Sequence, residues 1–138
     1  MTSVLASLES IVIGSVAITA RALTDAAVDL TFLQWRALIV VGAGNDRVAV
    51  GEIATRIGAT SSATSRLVGR LERRGLVARD RGPDDRRVTH VRLTPAGRRL
   101  RGRVIRSRAR DLRTVATAPT IPSAAALDAI AREFERLG

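Results

Sequence analysis

Serine and arginine side chains recur on one face of a predicted helix that follows Thr60. Ser62, Ser65, Arg66 and Gly69 have the i, i+3, i+4, i+7 spacing that places side chains on one helix face. This face is small and polar with one long cation, so it can lie close to base-pair edges in a major groove. There serine can bond either partner of a base pair, and arginine can bond guanine O6 and N7 together. The chemistry that this pattern indicates is base recognition in double-stranded DNA.

The ends and the opposite face of this helix are also marked in the sequence. Thr60 is a good N-cap, because its hydroxyl can accept a hydrogen bond from one of the first N–H groups of the helix. Gly75 suits the left-handed position just after a helix end. The inward-facing set, at the same helical spacing, is Thr64, Leu67, Val68 and Leu71. The sequence therefore predicts a helix of about four turns with one buried face and one reading face.

A predicted β-hairpin with an arginine-rich tip follows this helix. Its strands are LVARD and RRVTHVRL, separated by the turn RGPDD. Arg86 and Arg87 lie where the tip meets the second strand, so their charges should reach beyond the body of the protein into a minor groove. Asp85 beside them is placed to brace the loop through an ion pair or through turn N–H groups.

These elements occur in an order that resembles the MarR family of bacterial winged helix-turn-helix regulators. The resemblance is carried by EIATRIG (52–58), SRLVGRLERRGLV (65–77) and PDDRRVTHVRLTPAG (83–97). Within the last segment, Asp85-Arg86-Arg87 followed by Leu-Thr-Pro-Ala-Gly matches the family's Asp-x-Arg and Leu-Thr-x-x-Gly signature. Thr64 stands where the family usually has an aliphatic residue, and Gly69 where it has a polar or acidic one. Thr is nearly isosteric with Val, but Gly69 lowers helix stability by about 1 kcal/mol relative to Ala.

The resemblance implies a mainly α, α+β fold, a winged helix-turn-helix with dimerisation helices at both termini. Residues 1–138 then form one domain, with a DNA-binding lobe at 31–93 and dimerisation helices at 1–23 and 94–138. The implied function is a cytoplasmic, nucleoid-associated homodimer that controls transcription, usually by repression that a small ligand relieves. We expect the DNA contacts to come from Ser61, Ser62, Ser65, Arg66, Arg70, Arg86 and Arg87.

Charge independently indicates a polyanionic partner. The chain of 138 residues has a net charge of +10, and all 23 of its basic residues are arginine. Residues 66–113 alone hold 17 arginines against 5 acidic residues, a balance of +12. A solvated helix face is the alternative, but so much charge of one sign would repel itself without a polyanion nearby.

The residues needed for other classes of function are scarce. The chain has no cysteine and one histidine, which excludes disulfides, thiol sensing and a metal site built on cysteine or on His90 alone. No nucleophile with an adjacent base is visible, so we expect no enzyme activity, no cofactor and no metal. A non-specific nucleoid or RNA-binding protein remains the alternative function. It would explain the charge but not the small reading face.

The helices outside the DNA-binding lobe are expected to need covering. Residues 2–23 are strongly apolar with Glu9 inside the run, which favours an amphipathic to mostly buried helix over a signal peptide or membrane span. A second helix should run from Thr94 to about Ala118, and a last one should follow Ser123. A second subunit is the readiest cover in so small a protein.

An effector, if one exists, is expected to be a small apolar or aromatic molecule. Thr31 and Gln34 predict a capping box that opens a helix containing Trp35, the only tryptophan. We interpret Trp35 as a core residue first and as a possible ligand contact second. The pocket should lie near Trp35, where the dimerisation helices meet the lobe.

Overall fold

Six α-helices and three short β-strands make up the described part of the chain, residues 3–44, 47–81 and 87–137 of a computed structural model. The mainly α, α+β winged-helix class predicted from the sequence is confirmed. The elements in chain order are α1 (Val4–Asp25), α2 (Phe32–Ala43), β1 (Val48–Ala49), α3 (Val50–Ile57), α4 (Ser61–Arg73), β2 (Val77–Arg81), β3 (Thr89–Leu93), α5 (Pro95–Ala116) and α6 (Ala124–Leu137).

Side chains at the helix starts form the caps that the sequence predicts. Thr31 Oγ1 accepts a hydrogen bond from the Gln34 N–H at 3.2 Å, and Gln34 Oε1 accepts one from the Thr31 N–H at 3.0 Å. Thr60 and Thr94 accept bonds from the third residues of α4 and α5 in the same way. Gly75 follows α4 with a φ of 69°, the left-handed conformation expected after a helix end.

The strands form one antiparallel sheet in the order β1-β3-β2. The hairpin of β2 and β3, here called the wing, is paired from Val77 with Leu93 at its base to Arg81 with Thr89 nearest its tip. Strand β1 pairs with β3 of the wing, Val48 with Val91 and Ala49 with His90, while Val50 already belongs to α3. Sheet pairing therefore ties the start of the helix-turn-helix to the wing.

Two groups of buried side chains hold the elements together. The larger lies inside the lobe formed by α2, α3, α4 and the sheet, and includes Leu38, Ile53, Val68, Leu71 and Val91. The smaller joins α1, α2 and α5 and consists of Ala22, Leu23, Trp35 and Val104. Trp35 is 2% exposed, so its prediction as a core residue is confirmed.

The terminal helices are exposed along most of their length. In α1 only Thr19, Ala22 and Leu23 are buried, so one chain leaves most of this helix exposed, and its cover by a second subunit stays a prediction. No residue of α6 is buried, and the apolar side chains of Leu112 and Val115 of α5 are also exposed. Within the part of the chain that the structure describes, no element packs closely enough over these faces to bury them. α5 ends at Ala116, two residues before the predicted end.

Among the described residues, α1 alone has the length and composition of a membrane-spanning helix. Its most apolar window has a mean hydropathy of 1.5, and 6% of that window is buried by this chain. Core helices of soluble proteins and N-terminal signal sequences share this composition. The expectation that the chain has no membrane partner therefore stays a prediction.

The first turn of α5 lies directly on the backbone that follows α4. Thr94 donates its N–H to the Leu76 carbonyl at 3.1 Å and its hydroxyl to the Gly75 carbonyl at 2.6 Å. A methyl group on Gly97 would lie 2.0 Å from the Leu76 carbonyl oxygen, so no larger residue fits there. Close approach of two backbones thus explains the glycine of the Leu-Thr-x-x-Gly motif.

We expect Gly97→Ala to lower the free energy of unfolding by at least about 2 kcal/mol, because α5 must move off Leu76 to admit the methyl group. Urea denaturation followed by circular dichroism measures this change. Gly51→Ala in α3 is the matched control, since a methyl group there meets no atom within 4 Å. It should leave stability unchanged or raise it by up to about 1 kcal/mol. Equal effects of the two substitutions would contradict this account of Gly97.

Candidate nucleic-acid interface

Helix α4 presents a polar face because its opposite face is anchored in the core. The four side chains predicted to point inward, Thr64, Leu67, Val68 and Leu71, are all buried. Four of the predicted site residues of α4, namely Ser61, Ser62, Arg66 and Arg70, are exposed. Burial on one side thus fixes which way the serines and the two guanidinium groups face.

Ser65 and Gly69, also predicted on the outward face, are half-buried beneath Arg79 of the wing. Arg79 donates a hydrogen bond from Nη2 to the Ser65 carbonyl oxygen, and its Nε lies 3.4 Å from Glu72 Oε2. A methyl group on Gly69 would lie 3.1 Å from Arg79 Nη2. One arginine therefore joins the wing to the edge of the reading face.

Neither Arg79 nor Glu72 was identified from the sequence, although Gly69 was a signal that a long side chain such as Arg79 approaches α4. Gly69 departs from the family pattern and was interpreted only as a loss of helix stability. The structure gives the departure a reason, since the missing side chain makes room for the Arg79 guanidinium. A small residue on a helix face can mark the approach of a long side chain from another element.

The tip of the wing is described only in part. Arg87 is exposed in the turn that precedes β3, where the sequence predicted a protruding cation. Asp85 and Arg86 lie outside the described residues, so their roles in bracing the wing and in contacting DNA stay predictions. Nearer the base, Asp80 Oδ1 accepts a hydrogen bond from Arg47 Nη2 at 2.7 Å. This pair, which was not foreseen, links β2 to the residue just before β1.

Thr64 carries an unexpected cost for the reading helix. Its side chain is fully buried, as the expectation of a valine-like role requires. Its Oγ1, however, has no hydrogen-bond partner among the described residues. A buried hydroxyl without a partner costs about 1–3 kcal/mol. The shape of Thr64 therefore fits its buried position, while its polar hydroxyl lowers the stability of α4.

A second candidate site is a cleft of about 620 Å³ beside Trp35, between the lobe and the terminal helices. Phe32, Trp35, Ile39 and Phe134 supply its apolar lining. The remaining lining residues are Ser15, Thr19, Arg36, Val40, Arg56, Arg108 and Glu135. The cleft lies in the region where the sequence placed the effector pocket.

Arg108 is a half-buried cation that lines the cleft. Burial lowers the pKa of its guanidinium from the ordinary value, because desolvation disfavours the charged form. Its Nε is buried and has no hydrogen-bond partner among the described residues. A half-buried cation with an unused donor favours an anionic ligand group over a neutral one.

Comparison with known proteins identifies relatives of the lobe. A model of the MarR family matches residues 28–88 of this chain. The HTH-type transcriptional repressor IacR of Pseudomonas putida is 36% identical over 70 residues, which cover 51% of this chain and 41% of that protein. The curated relatives are matched over 32 to 45% of their own length.

Solved structures match nearly the whole chain. The structure of RV1404 from Mycobacterium tuberculosis superposes with a TM-score of 0.80 and 26% identity, covering 98% of this chain and 96% of that one. A MarR family protein from Bacillus stearothermophilus gives a TM-score of 0.72 and 30% identity, with 94% and 86% of the two chains covered. The likeness therefore extends beyond the lobe to the terminal helices.

Proposed function

This chain belongs to the MarR family, and we propose that it regulates transcription as a sequence-specific DNA-binding dimer. The observation that carries the proposal is the exposed, small and polar face of α4 next to the wing. Ser61, Ser62 and Arg66 can approach base edges there, because the far side of the helix is buried in the lobe. Bound in this way, the protein acts on chromosomal DNA in the cytoplasm.

In this proposal the wing and the reading helix contact different parts of the DNA. Arg66 and the serines read bases in the major groove, with Arg70 one turn further along the same helix. Arg86 and Arg87 contact the backbone or the adjacent minor groove, and Asp85 braces the tip. Ser65 contributes at the edge of the face, where the Arg79 contact fixes its position. Arg79 itself sets the angle between wing and helix.

Repression is the direction of control that we propose. IacR, which is 36% identical to this chain over 70 residues, is named as a transcriptional repressor. A protein that occupies an operator excludes other proteins from it, so repression needs no further surface. No catalytic role is proposed, because no nucleophile and base form a pair in the sequence. A non-specific nucleoid or RNA-binding protein is less well supported, since charge alone would not require small side chains on the α4 face.

We propose that α1, α5 and α6 pair two copies, with residues 31–93 as the DNA-binding lobe of a single domain. The support is the apolar surface that one chain leaves uncovered on these helices. Leu5, Ile11 and Ile13 of α1 are 66%, 60% and 70% exposed, and Leu137 of α6 is 78% exposed. Apolar surface of this extent in a folded protein marks an interface. A two-fold pair would present two α4 helices to inverted half-sites about one helical turn apart.

The effector that we propose is a small apolar or aromatic molecule that binds the cleft beside Trp35. The cleft volume suits a ligand of one or two rings, and the aromatic side chains that line the cleft supply apolar contacts. Arg108 adds a preference for an anionic group. Helices of the lobe and the terminal helices α1, α5 and α6 line the cleft, so a ligand there can shift the lobe relative to the terminal helices.

Arg66→Ala and Arg87→Ala should weaken DNA binding in different ways. Arg66→Ala should cost about 1–3 kcal/mol on the operator and flatten base preference at one position. Arg87→Ala should weaken binding evenly across sequences and reduce the salt slope by about one unit per lost phosphate contact. Selection of bound genomic fragments supplies the operator, and titration of both variants on operator and scrambled DNA over a salt series measures the effects. If Arg66→Ala loses equally on both DNAs, the reading helix is misassigned.

Ile13→Glu should convert the dimer to a folded monomer. A buried isoleucine is worth about 1.5–3 kcal/mol and occurs twice in a two-fold interface, so dimer affinity should fall at least about a hundredfold. Sedimentation velocity measures the change, with circular dichroism to verify folding. Ile13→Val is the matched control and should remain dimeric. A wild-type chain that sediments as a folded monomer at micromolar concentration would rule out the dimer.

Benzoate should release the protein from its operator at a lower concentration than benzyl alcohol, which has the same ring without the charge. The expected ratio is at least about tenfold, because one charge-assisted hydrogen bond to Arg108 is worth about 1.5–3 kcal/mol. Arg108→Ala should remove the difference between the two compounds while leaving operator affinity unchanged. Fluorescence anisotropy of labelled operator gives all four values. Release by peroxide or stoichiometric zinc, with no response to aromatic compounds, would contradict the proposal.

A further inference from the structure

Five exposed arginines form a continuous row on the outer face of α5. They recur at alternating intervals of four and three residues, which keeps them within a narrow arc of the helix. The row spans about 21 Å at 1.5 Å per residue. The buried side chain of Val104 lies on the other side of the helix. The members of this arginine stripe are Arg99, Arg103, Arg106, Arg110 and Arg113.

The stripe has no acidic complement in the described parts of the chain. None of its five guanidinium groups forms an ion pair with a described carboxylate. The only acidic residue of α5 itself is Asp111, and its Oδ2 lies 3.3 Å from Arg21 Nη2 of α1. Like charges one turn apart on a helix repel each other. The folded chain thus keeps an unfavourable row of cations that an external polyanion would neutralise.

A second copy of the chain is a poor match for this charge. Helix α1 carries two acidic residues and one basic residue, and α6 carries three acidic residues and two basic ones. Glu133 of α6 is in addition paired with Arg136 at 2.8 Å. Each exposed terminal helix of a partner would therefore bring a net charge of −1 to a row of five cations. The apolar faces of these helices explain dimerisation without the stripe.

The chemistry of the stripe fits the backbone of a nucleic acid duplex. Guanidinium groups present planar, forked donors that match phosphate oxygens. A duplex carries about one charge per 1.7 Å of axis, so 21 Å of stripe lies beside roughly a dozen phosphates. No aromatic residue occurs in α5, and single strands are usually held by stacking on aromatic side chains. Duplex DNA is therefore favoured over a single-stranded nucleic acid.

The direction of α5 separates the stripe from the reading face. α5 begins where α4 ends, on Gly75 and Leu76, at the base of the wing rather than at its tip. It then runs along α2 to α1, where Asp111 meets Arg21. The stripe accordingly leads away from Ser61 and Ser62 at the start of α4. A duplex that lies across α4 and the wing tip does not follow this path.

We propose that the arginine stripe of α5 binds the phosphate backbone of a second DNA duplex while α4 and the wing hold the first. The regulator can then join two DNA segments, the first recognised by sequence and the second by charge alone. This inference goes beyond the proposed regulatory function, because operator recognition does not require it. It depends on the five stripe residues and on none of the predicted reading residues.

A two-duplex capture assay tests the proposal. Beads carry the selected operator fragment in excess over protein, so that α4 and the wing are occupied, and a labelled random-sequence duplex of about three helical turns is added. Wild-type protein should capture the labelled duplex with a steep dependence on salt. Arg106→Ala combined with Arg110→Ala should reduce capture at least about tenfold and lower its salt slope by about two units, with bead retention unchanged. Arg132→Ala combined with Arg136→Ala removes the same charge from α6 and should capture normally.

Three results would overturn the proposal. Capture unchanged in the stripe variant would mean that the stripe is only solvated. Loss of the operator fragment itself would mean that the stripe follows the first duplex, and loss of the dimer in sedimentation would assign the stripe to a second copy. Failure to select any genomic fragment would contradict the proposed function instead. The assay then uses the same random-sequence duplex on the beads and, with a label, in solution. The stripe variant should again capture less of the labelled duplex than the wild-type protein does.

Discussion

The contact between the first turn of α5 and the backbone after α4 determines how the rest of the molecule is arranged. Thr94 and Gly97 hold α5 against Leu76, so the reading helix, the wing base and the long helix share one junction. From there α5 reaches Trp35 and α1, where Val104 is fully buried. A side chain at position 97 would separate these elements. The orientation of α5 relative to the DNA-binding lobe therefore depends on the absence of one methyl group.

The packing of α2 would connect the proposed effector cleft with the proposed DNA-binding face. Trp35 belongs to the group of side chains that joins α1 and α5, while Leu38 and Val41, one and two turns further along α2, belong to the core beneath α4. Densely packed interiors move as units rather than deform. A ligand that displaces Trp35 or Phe134 would thus tilt α2 and α5 relative to α1. Its differential affinity for the two arrangements sets how far DNA binding can change.

Local signals predicted most of the fold, and contacts between distant elements accounted for what was missed. The capping threonines, the apolar spacing of α4 and the alternation of β3 act over a few residues, so the sequence displays them directly. Arg79 reaches Ser65 across the fold, and Arg47 reaches Asp80 across the sheet, with no fixed spacing to indicate either pair. The cover of α1 is likewise not a local property of the sequence. Hydropathy shows that a helix needs covering but not which molecule covers it.

The distribution of arginine constrains how such a protein can be specific. A balance of +12 over residues 66–113 attracts any DNA, and this attraction carries no sequence information. Discrimination must therefore come from the few side chains that reach base edges, each worth about 1–3 kcal/mol. A small polar face on α4 suits this role, because it lets those few groups approach base edges closely. Cations placed on α5, away from the reading face, attract a second duplex in our proposal and do not compete for the same groove. The attraction of DNA by charge and the recognition of bases then depend on side chains of different helices in one chain.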